Sequence, residues 1–177
     1  KPWGYYRLKT MNVKRNFPNS RLRRLRASDN LIKLVSETSL SSNDLIQPLF
    51  IKENLEGTEP IDSMPNISRF SEDSILNEVE DVLNSGVNSI ALFPVIEESK
   101  KDDHGKEALN KSNLICKSIQ TIKKRFPEII IIADVALDPY TNHGHDGIIK
   151  DNYVDNDLTL DALKSQSLLL AESGADI

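Results

Sequence analysis

The sequence predicts an α/β protein built on a parallel sheet. Three observations point there: apolar, largely β-branched runs at 45–51, 89–95 and 129–136, helical apolar spacing between them, and a polar loop after each run. Strand and helix therefore alternate, which fits an open doubly wound sheet or a barrel. The chain has 177 residues, 38% hydrophobic and 28% charged, enough for one core of its own. Its longest apolar stretch, Ile129 to Ala133, is far too short for a membrane span. A single cysteine, Cys116, cannot form an internal disulfide, and no Cys/His spacing suits a structural zinc site.

Residues 1–27 show no sustained apolar period and are punctuated by Pro2, Gly4, Pro18 and clustered arginines, so they read as an extended arm without a core. Ser28 or Asp29 caps a helix over Leu31, Ile32, Leu34 and Val35. Leu45 to Ile51 reads as a buried strand in which Pro48 requires one unpaired position. A loop from Glu53 to Phe70 carries a hairpin signal around Ser63-Met64-Pro65-Asn66. Ser71 then caps a helix with Ile75, Val79, Val82 and Leu83 on one face, ended by Gly86.

The unit repeats. Ser89 to Val95 is a second strand, and Leu109, Leu114, Ile115, Ile119 and Ile122 mark the inner face of a helix that stops before Pro127. Ile129 to Ala136 reads as a strand covered on both faces. Leu158 to Ser173 forms the next helix, with Leu163, Leu168, Leu169 and Ala171 inward and Asn156-Asp157 as its cap. Gly174 breaks it just before Ala175-Asp176-Ile177, the expected start of a fourth strand. The expectation is a chain truncated to about the first half of an eight-stranded (β/α)8 barrel, residues 28–177, behind the arm of residues 1–27. Such a half leaves two sheet edges bare and the inward faces of Leu49, Ile51, Leu92 and Ile132 partly unsealed.

The net charge of −5 hides a division: residues 1–28 hold nine Lys or Arg and no acid, so the remainder carries −14. A basic arm of this kind suits nucleic acid, an acidic neighbouring subunit or an import signal. Trp3, Tyr5 and Tyr6 could stack on bases, but a docking arm is the reading preferred here. Ile (18), Asn (15) and Lys (14) outnumber Ala (8), a skew read as the coding bias of an AT-rich genome.

The densest polar chemistry follows the third strand, in Asp134-Val135-Ala136-Leu137-Asp138-Pro139-Tyr140-Thr141-Asn142-His143-Gly144-His145-Asp146-Gly147. Three carboxylates and two imidazoles at the C-terminal end of a parallel strand can ligate a hard cation such as Mg2+, orient an amine or transfer protons. The plainer reading is a solvated loop with Asp capping turns. Asp134 is expected in the strand itself, where an unpaired carboxylate is costly. His104 beside Asp102 and Asp103 reads as a solvated turn, and Cys116 as core packing.

The run DVALDPYTNHGHDGI, with LFPV, EPIDSMPNISRFS and DDHGKEALN before it, NDLTLDALKSQSLLLAESGAD after it and RLRRLR at Arg21 to Arg26, resembles 5-aminolevulinic acid dehydratase, also called porphobilinogen synthase. The likeness extends in order from about Arg21 to Ile177. It implies a TIM-barrel enzyme that condenses two molecules of 5-aminolevulinic acid to porphobilinogen, assembled as octamers in which the arm wraps a neighbouring subunit, with no nucleic-acid or membrane partner. Some members hold a catalytic zinc with three cysteines in this loop. Those positions here are Ala136, Asp138 and Asp146, so cysteine-bound zinc is not expected and the loop matches the aspartate-type, magnesium-responsive branch, with Asp138 and Asp146 as candidate Mg2+ donors. By the resemblance, Asp134 is an active-site carboxylate and His145 a loop residue beside the aspartates, while His143 is weighted toward turn structure.

The family's two Schiff-base lysines lie in the second half of the barrel. Lys123, Lys124, Lys150 and Lys164 sit on helices or loops and cannot replace them, so these residues alone are expected to lack dehydratase activity. The aspartate-type loop resembles plastid enzymes and the coding bias resembles malarial parasites, which together suggest a non-photosynthetic plastid; the cytoplasm is the alternative. A rival reading makes the chain a binding module whose arm contacts nucleic acid or an acidic partner. A third, a receiver-like sheet, needs an acidic pair at the first strand, and Leu45 to Ile51 supplies none.

Overall fold

The computed structural model describes Pro18 and residues 23–177. The expectations for Trp3, Tyr5, Tyr6 and the rest of the arm before Arg23 lie outside the described residues. The chain forms two compact units, Lys1–Leu40 and Ser41–Ile177. In the first, a 3-10 turn at Arg24–Arg26 precedes α1 (Asp29–Leu34). Ser28 Oγ accepts the Leu31 N–H at 3.3 Å, the expected cap. Leu25, Leu34 and Leu40 remain exposed.

The second unit is built on a five-stranded sheet. Its strands are β1 (Gln47–Lys52), β2 (Thr58–Pro60), β3 (Ser68–Phe70), β4 (Ser89–Val95) and β5 (Ile130–Ala133), in the order β2-β3-β1-β4-β5. The barrel-type strands run parallel, Leu49 opposite Leu92 and Ile90 opposite Ile131. Among β1, β4 and β5 each strand lies beside the one before it, while the short β3 pairs parallel to β1 on its other side. A right-handed crossover at every step then puts all the helices on one face, which excludes a doubly wound sheet.

That face is the core. Leu49 and Ile51, Ile90 and Leu92, and Ile131 and Ala133 alternate inward beneath α2 (Ile75–Asn84), α3 (Leu114–Arg125) and α4 (Asn156–Ser173). Leu49, Ile51 and Leu92 are therefore sealed, against expectation. The open face carries their alternates, Phe50, Ala91, Phe93 and Ile132, all partly exposed. Phe50 and Phe93, paired in register, bring their rings to 5.6 Å. Because β5 shows the same alternation, with Ile130 40% exposed, the strand expected to be covered on both faces is covered on one.

The sheet edges also differ from expectation. The hairpin signalled by Met64-Pro65-Asn66 forms between β2 and β3, with Asn66 at φ +65°, and β3 pairs with β1 at Phe50 and Ile51. Pro48 lies outside that pairing, as its missing N–H requires. On the other side Ala133 N–H donates to Ile177 C=O at 2.9 Å and Asp176 N–H to Ile131 C=O at 2.9 Å, so residues 175–177 begin a further parallel ladder.

Helix ends follow local chemistry. The Ser71 and Ser74 hydroxyls each accept the other's backbone N–H, at 3.0 and 2.9 Å, a reciprocal cap in which Ser74 does what Glu usually does. Gly86, at φ +88°, closes α2 as Val87 N–H reaches back to Val82 C=O. Leu109 is not on α3: it ends a 3-10 turn at Lys106–Leu109, and the helix starts after Asn113, whose side chain accepts the Cys116 N–H at 2.8 Å. Cys116 is fully buried, in keeping with a packing role. The cap of α4 is Asp155, one residue before the expected pair.

The buried stripe of α4 is Thr159, Ala162, Gln166, Leu169, Leu170 and Ser173, while Leu168 and Ala171 face outward. In urea unfolding, Leu170→Ala should therefore cost about 2–5 kcal/mol, whereas Leu168→Ala should stay within about 0.5 kcal/mol of the wild type.

Candidate functional site

The aspartate loop begins one residue after β5. Asp134 is exposed and outside the strand, so it keeps its hydration and does not carry the burial cost expected of a carboxylate within a strand. Behind it Ala136 and Leu137 are buried, and the Ala136 carbonyl accepts from Gln166 Nε2 of α4 at 3.0 Å. A 3-10 turn at Asp138–Tyr140 follows, with Pro139 at its start and the Tyr140 ring buried beneath it. Burial pushes the Tyr140 hydroxyl well above its ordinary value, with Cys116 and Glu107 adding to the shift.

Asp146 returns to the start of the loop: its Oδ1 accepts the Leu137 N–H at 2.7 Å. This closes a loop between residues nine positions apart and brings the three aspartates into one electrostatic group. Asp138 registers it. Its carboxyl is raised above the ordinary aspartate value, first by desolvation, then by the charge of Asp146 and further by that of Asp134.

The imidazoles do structural work. His143 Nδ1 accepts the His145 N–H at 3.1 Å, and its Nε2 lies 3.3 Å from the Asp103 carbonyl, which suits a neutral ring donating through Nε2. His145 is exposed; its ring lies 5.5 Å from that of His143, and its carbonyl accepts from Thr141 Oγ1 at 3.1 Å. His104 stands in a turn made by Asp102 Oδ1, which accepts the His104 and Lys106 amides.

The loop's exit is held by α4. Ile148 N–H donates to Thr159 Oγ1 at 3.0 Å, and Asp155 N–H to the Ile148 carbonyl at 2.9 Å. Between them and the aspartates sits Gly147, where a Cβ would come within 2.5 Å of Val154 Cγ1. The segment that the sequence left as loop also contains a small hairpin, β6 (Ile149–Lys150) and β7 (Tyr153–Val154), turned through Asp151 and Asn152 at positive φ. Gln166 and Gly147 were missed as positioning residues; the available signal was a glutamine at helical spacing within an apolar stripe.

The donor chemistry bears on the metals these residues suit. Ala136 offers no side-chain ligand, so a three-cysteine zinc centre does not fit these residues. Among the described residues no group of three or more His, Cys, Asp or Glu side chains is placed to hold an ion. Asp138 and Asp146 offer two hard oxygen ligands, which suits Mg2+, an ion that commonly keeps several waters and takes only one or two carboxylates. The lysines lie elsewhere. Lys123 pairs with Asp176 at 2.6 Å, while Lys124, Lys150 and Lys164 are exposed. Lys52, overlooked in the sequence, does end β1, but its ammonium is held by Glu59 at 2.5 Å.

Singly wound parallel strands, helices on one face and a carboxylate loop at a strand's C-terminal end define a β/α-barrel protein. A family model described as delta-aminolevulinic acid dehydratase matches residues 19–177. The chain belongs to that family. It is 44% identical over 157 residues to the delta-aminolevulinic acid dehydratase of Bradyrhizobium diazoefficiens, covering 89% of this chain and 44% of that one. Against the chloroplastic enzyme of Selaginella martensii it is 42% identical, covering 89% of this chain and 38% of the relative. A solved delta-aminolevulinic acid dehydratase (porphobilinogen synthase) from Toxoplasma gondii, in complex with its reaction product porphobilinogen, superimposes with a TM-score of 0.85 at 37% identity, over 89% of this chain and 45% of that one. The chain thus spans about half the length of the curated relatives it matches. No helix among the described residues is long and apolar enough to cross a membrane.

If Asp146 raises Asp138 through its charge, Asp146→Asn should lower the Asp138 pKa toward the ordinary value, and Asp134→Asn should do so by less. Carbon-detected NMR titration of the side-chain carboxyls reads both directly.

Proposed function

We propose that this chain supplies the first-half contribution to a porphobilinogen synthase site, acting in the condensation of two 5-aminolevulinic acid molecules to porphobilinogen. The observation that carries this reading is the loop Asp134 to Asp146, closed on itself by Asp146 and the Leu137 amide at the C-terminal end of β5. Exposed Asp134, at the rim of the open face, is suited to hold the substrate's ammonium or take a proton from it. Asp138, its carboxyl raised, takes and returns protons closer to neutrality than a free aspartate. His145, exposed beside them, lends a donor or acceptor at the loop's outer edge.

Asp138 and Asp146 would hold Mg2+, which when bound supplies positive charge to steady the carboxylates and an oxygen-bearing substrate. The lysines argued above to be helical, exposed or ion-paired are not proposed as Schiff-base nucleophiles, which need a desolvated amine. The protein is proposed to act as an octamer, its basic arm lying on a neighbouring subunit. Exposed Leu25, Leu34 and Leu40 on the arm side of the chain support that reading, since they find no cover among the described residues. A plastid is the proposed compartment, supported by the chloroplastic relative.

The test is porphobilinogen formation from 5-aminolevulinic acid by this chain and by a version extended to the length of its relatives, each with magnesium and with EDTA. Turnover is expected only from the longer form, weakened by EDTA, and reduced at least about a hundredfold by Asp134→Asn. Turnover by the 177 residues alone would overturn the account of the lysines.

A further inference from the structure

A second polar cluster lies at the same end of the sheet, outside the aspartate loop. Glu53 directly follows β1, and its side chain is only 11% exposed. Its Oε1 accepts from Lys100 Nζ at 2.6 Å, and its Oε2 is buried without a hydrogen-bond partner among the described residues. Lys100 ends a 3-10 turn, Glu98–Lys100, in the loop after β4. Asn54, beside Glu53, donates to Glu97 at the other end of that turn. Both ends of the turn are thus tied to the loop after β1.

The same β4 loop grips the aspartate loop. Asp102 bridges to Thr141 in parallel fashion, donating its N–H to the Tyr140 carbonyl at 3.3 Å and accepting the Asn142 N–H at 3.1 Å. Asp103 accepts from Asn142 Nδ2 at 3.3 Å, and its carbonyl meets His143. A path therefore runs from Glu53 to Lys100, along the chain to Asp102, and across to the segment between Asp138 and Asp146.

We propose that Glu53 and Lys100 are positioning residues, whose ion pair fixes the loop after β4 and through it the placement of the aspartate loop. The physical reason is asymmetry. A carboxylate buried this far is tolerable only while its cation is present, so losing the ammonium forces Glu53 to find solvent and pulls the β4 loop with it. The hydrogen bond from Lys100 to Glu53 also holds that ammonium above its ordinary pKa, so the cation persists across the neutral range. The coupling of the loops stands by itself; only its catalytic consequence rests on the proposed dehydratase reading.

Amide hydrogen exchange on the full chain tests it. Lys100→Met should speed exchange of the Asp102 and Asn142 amides by about tenfold or more, leaving the Val87 amide at the end of α2 unchanged. Lys100→Arg should stay near the wild type. Adding Glu53→Gln to Lys100→Met should slow the loop amides again, because a neutral amide does not demand a cation. If Lys100→Met does not fold, Glu53→Gln alone should still loosen the loop amides and spare Val87. Acceleration that includes Val87 equally, or none at the loop, overturns the proposal. In the extended form, Lys100→Met should lower kcat more than it raises KM, with rescue by Lys100→Arg. If the wild-type extended form has no turnover, the dehydratase reading falls while the exchange data still decide the positioning role.

Discussion

The parallel pairing of β1, β4 and β5 in sequence order is the constraint on which the rest of the structure depends. With every crossover turning the same way, the helices can cover only one face, and every strand-to-helix loop must emerge at the same end. That is why Glu53, Lys100 and Asp134, far apart in sequence, share one rim. The register also sorts side chains by parity. Odd positions of β1 and β5 and even positions of β4 enter the helix-covered core, while Phe50, Phe93 and Ile132 line the other surface.

The energetic weight lies beneath the helices. Ile51, Ile75, Ile90, Ile119, Ile122 and Ile131 are fully buried, and a coding bias toward isoleucine is used here as β-branched packing against a twisted sheet. Against this rigid layer the aspartate loop is held by polar contacts: a backbone carbonyl on Gln166, an amide on Asp146, and the bridge to Asp102. Polar contacts fix direction in a way that apolar packing does not, so the loop's side chains are held in defined orientations.

Much of this was legible in sequence, and the failures have physical reasons. Strands were found because β-branched runs between turn residues have few other fates; β4 falls on Ser89 to Val95 as expected. Faces were harder. The run Ile129 to Ala136 carries no polar residue before Asp134 to mark the outward side, so its exposure and its end were misjudged. In α4, Leu168, Leu169 and Leu170 are adjacent and apolar, and only the buried Gln166 and Thr159 reveal which way the helix is turned. The aspartate loop was legible because its chemistry is concentrated in fourteen residues. The Glu53–Lys100 pair was not, since its members are forty-seven positions apart and each looks like an ordinary surface charge.

The electrostatics of the loop give it a direction of use. Three carboxylates in one loop repel one another, and that repulsion adds to the desolvation that raises Asp138. Any cation that enters relieves it, whether an ammonium or a hard divalent ion, and gains the attraction of all three charges while Asp138 is ionised. The sign of the pH dependence follows. As pH falls through the raised Asp138 value, one of the three charges is lost and cation affinity must drop, whereas Asp146, tied to a backbone amide, keeps the loop closed in either state. Partial exposure limits the repulsion to what hydration can tolerate, so the closed loop holds its carboxylates together without a bound partner.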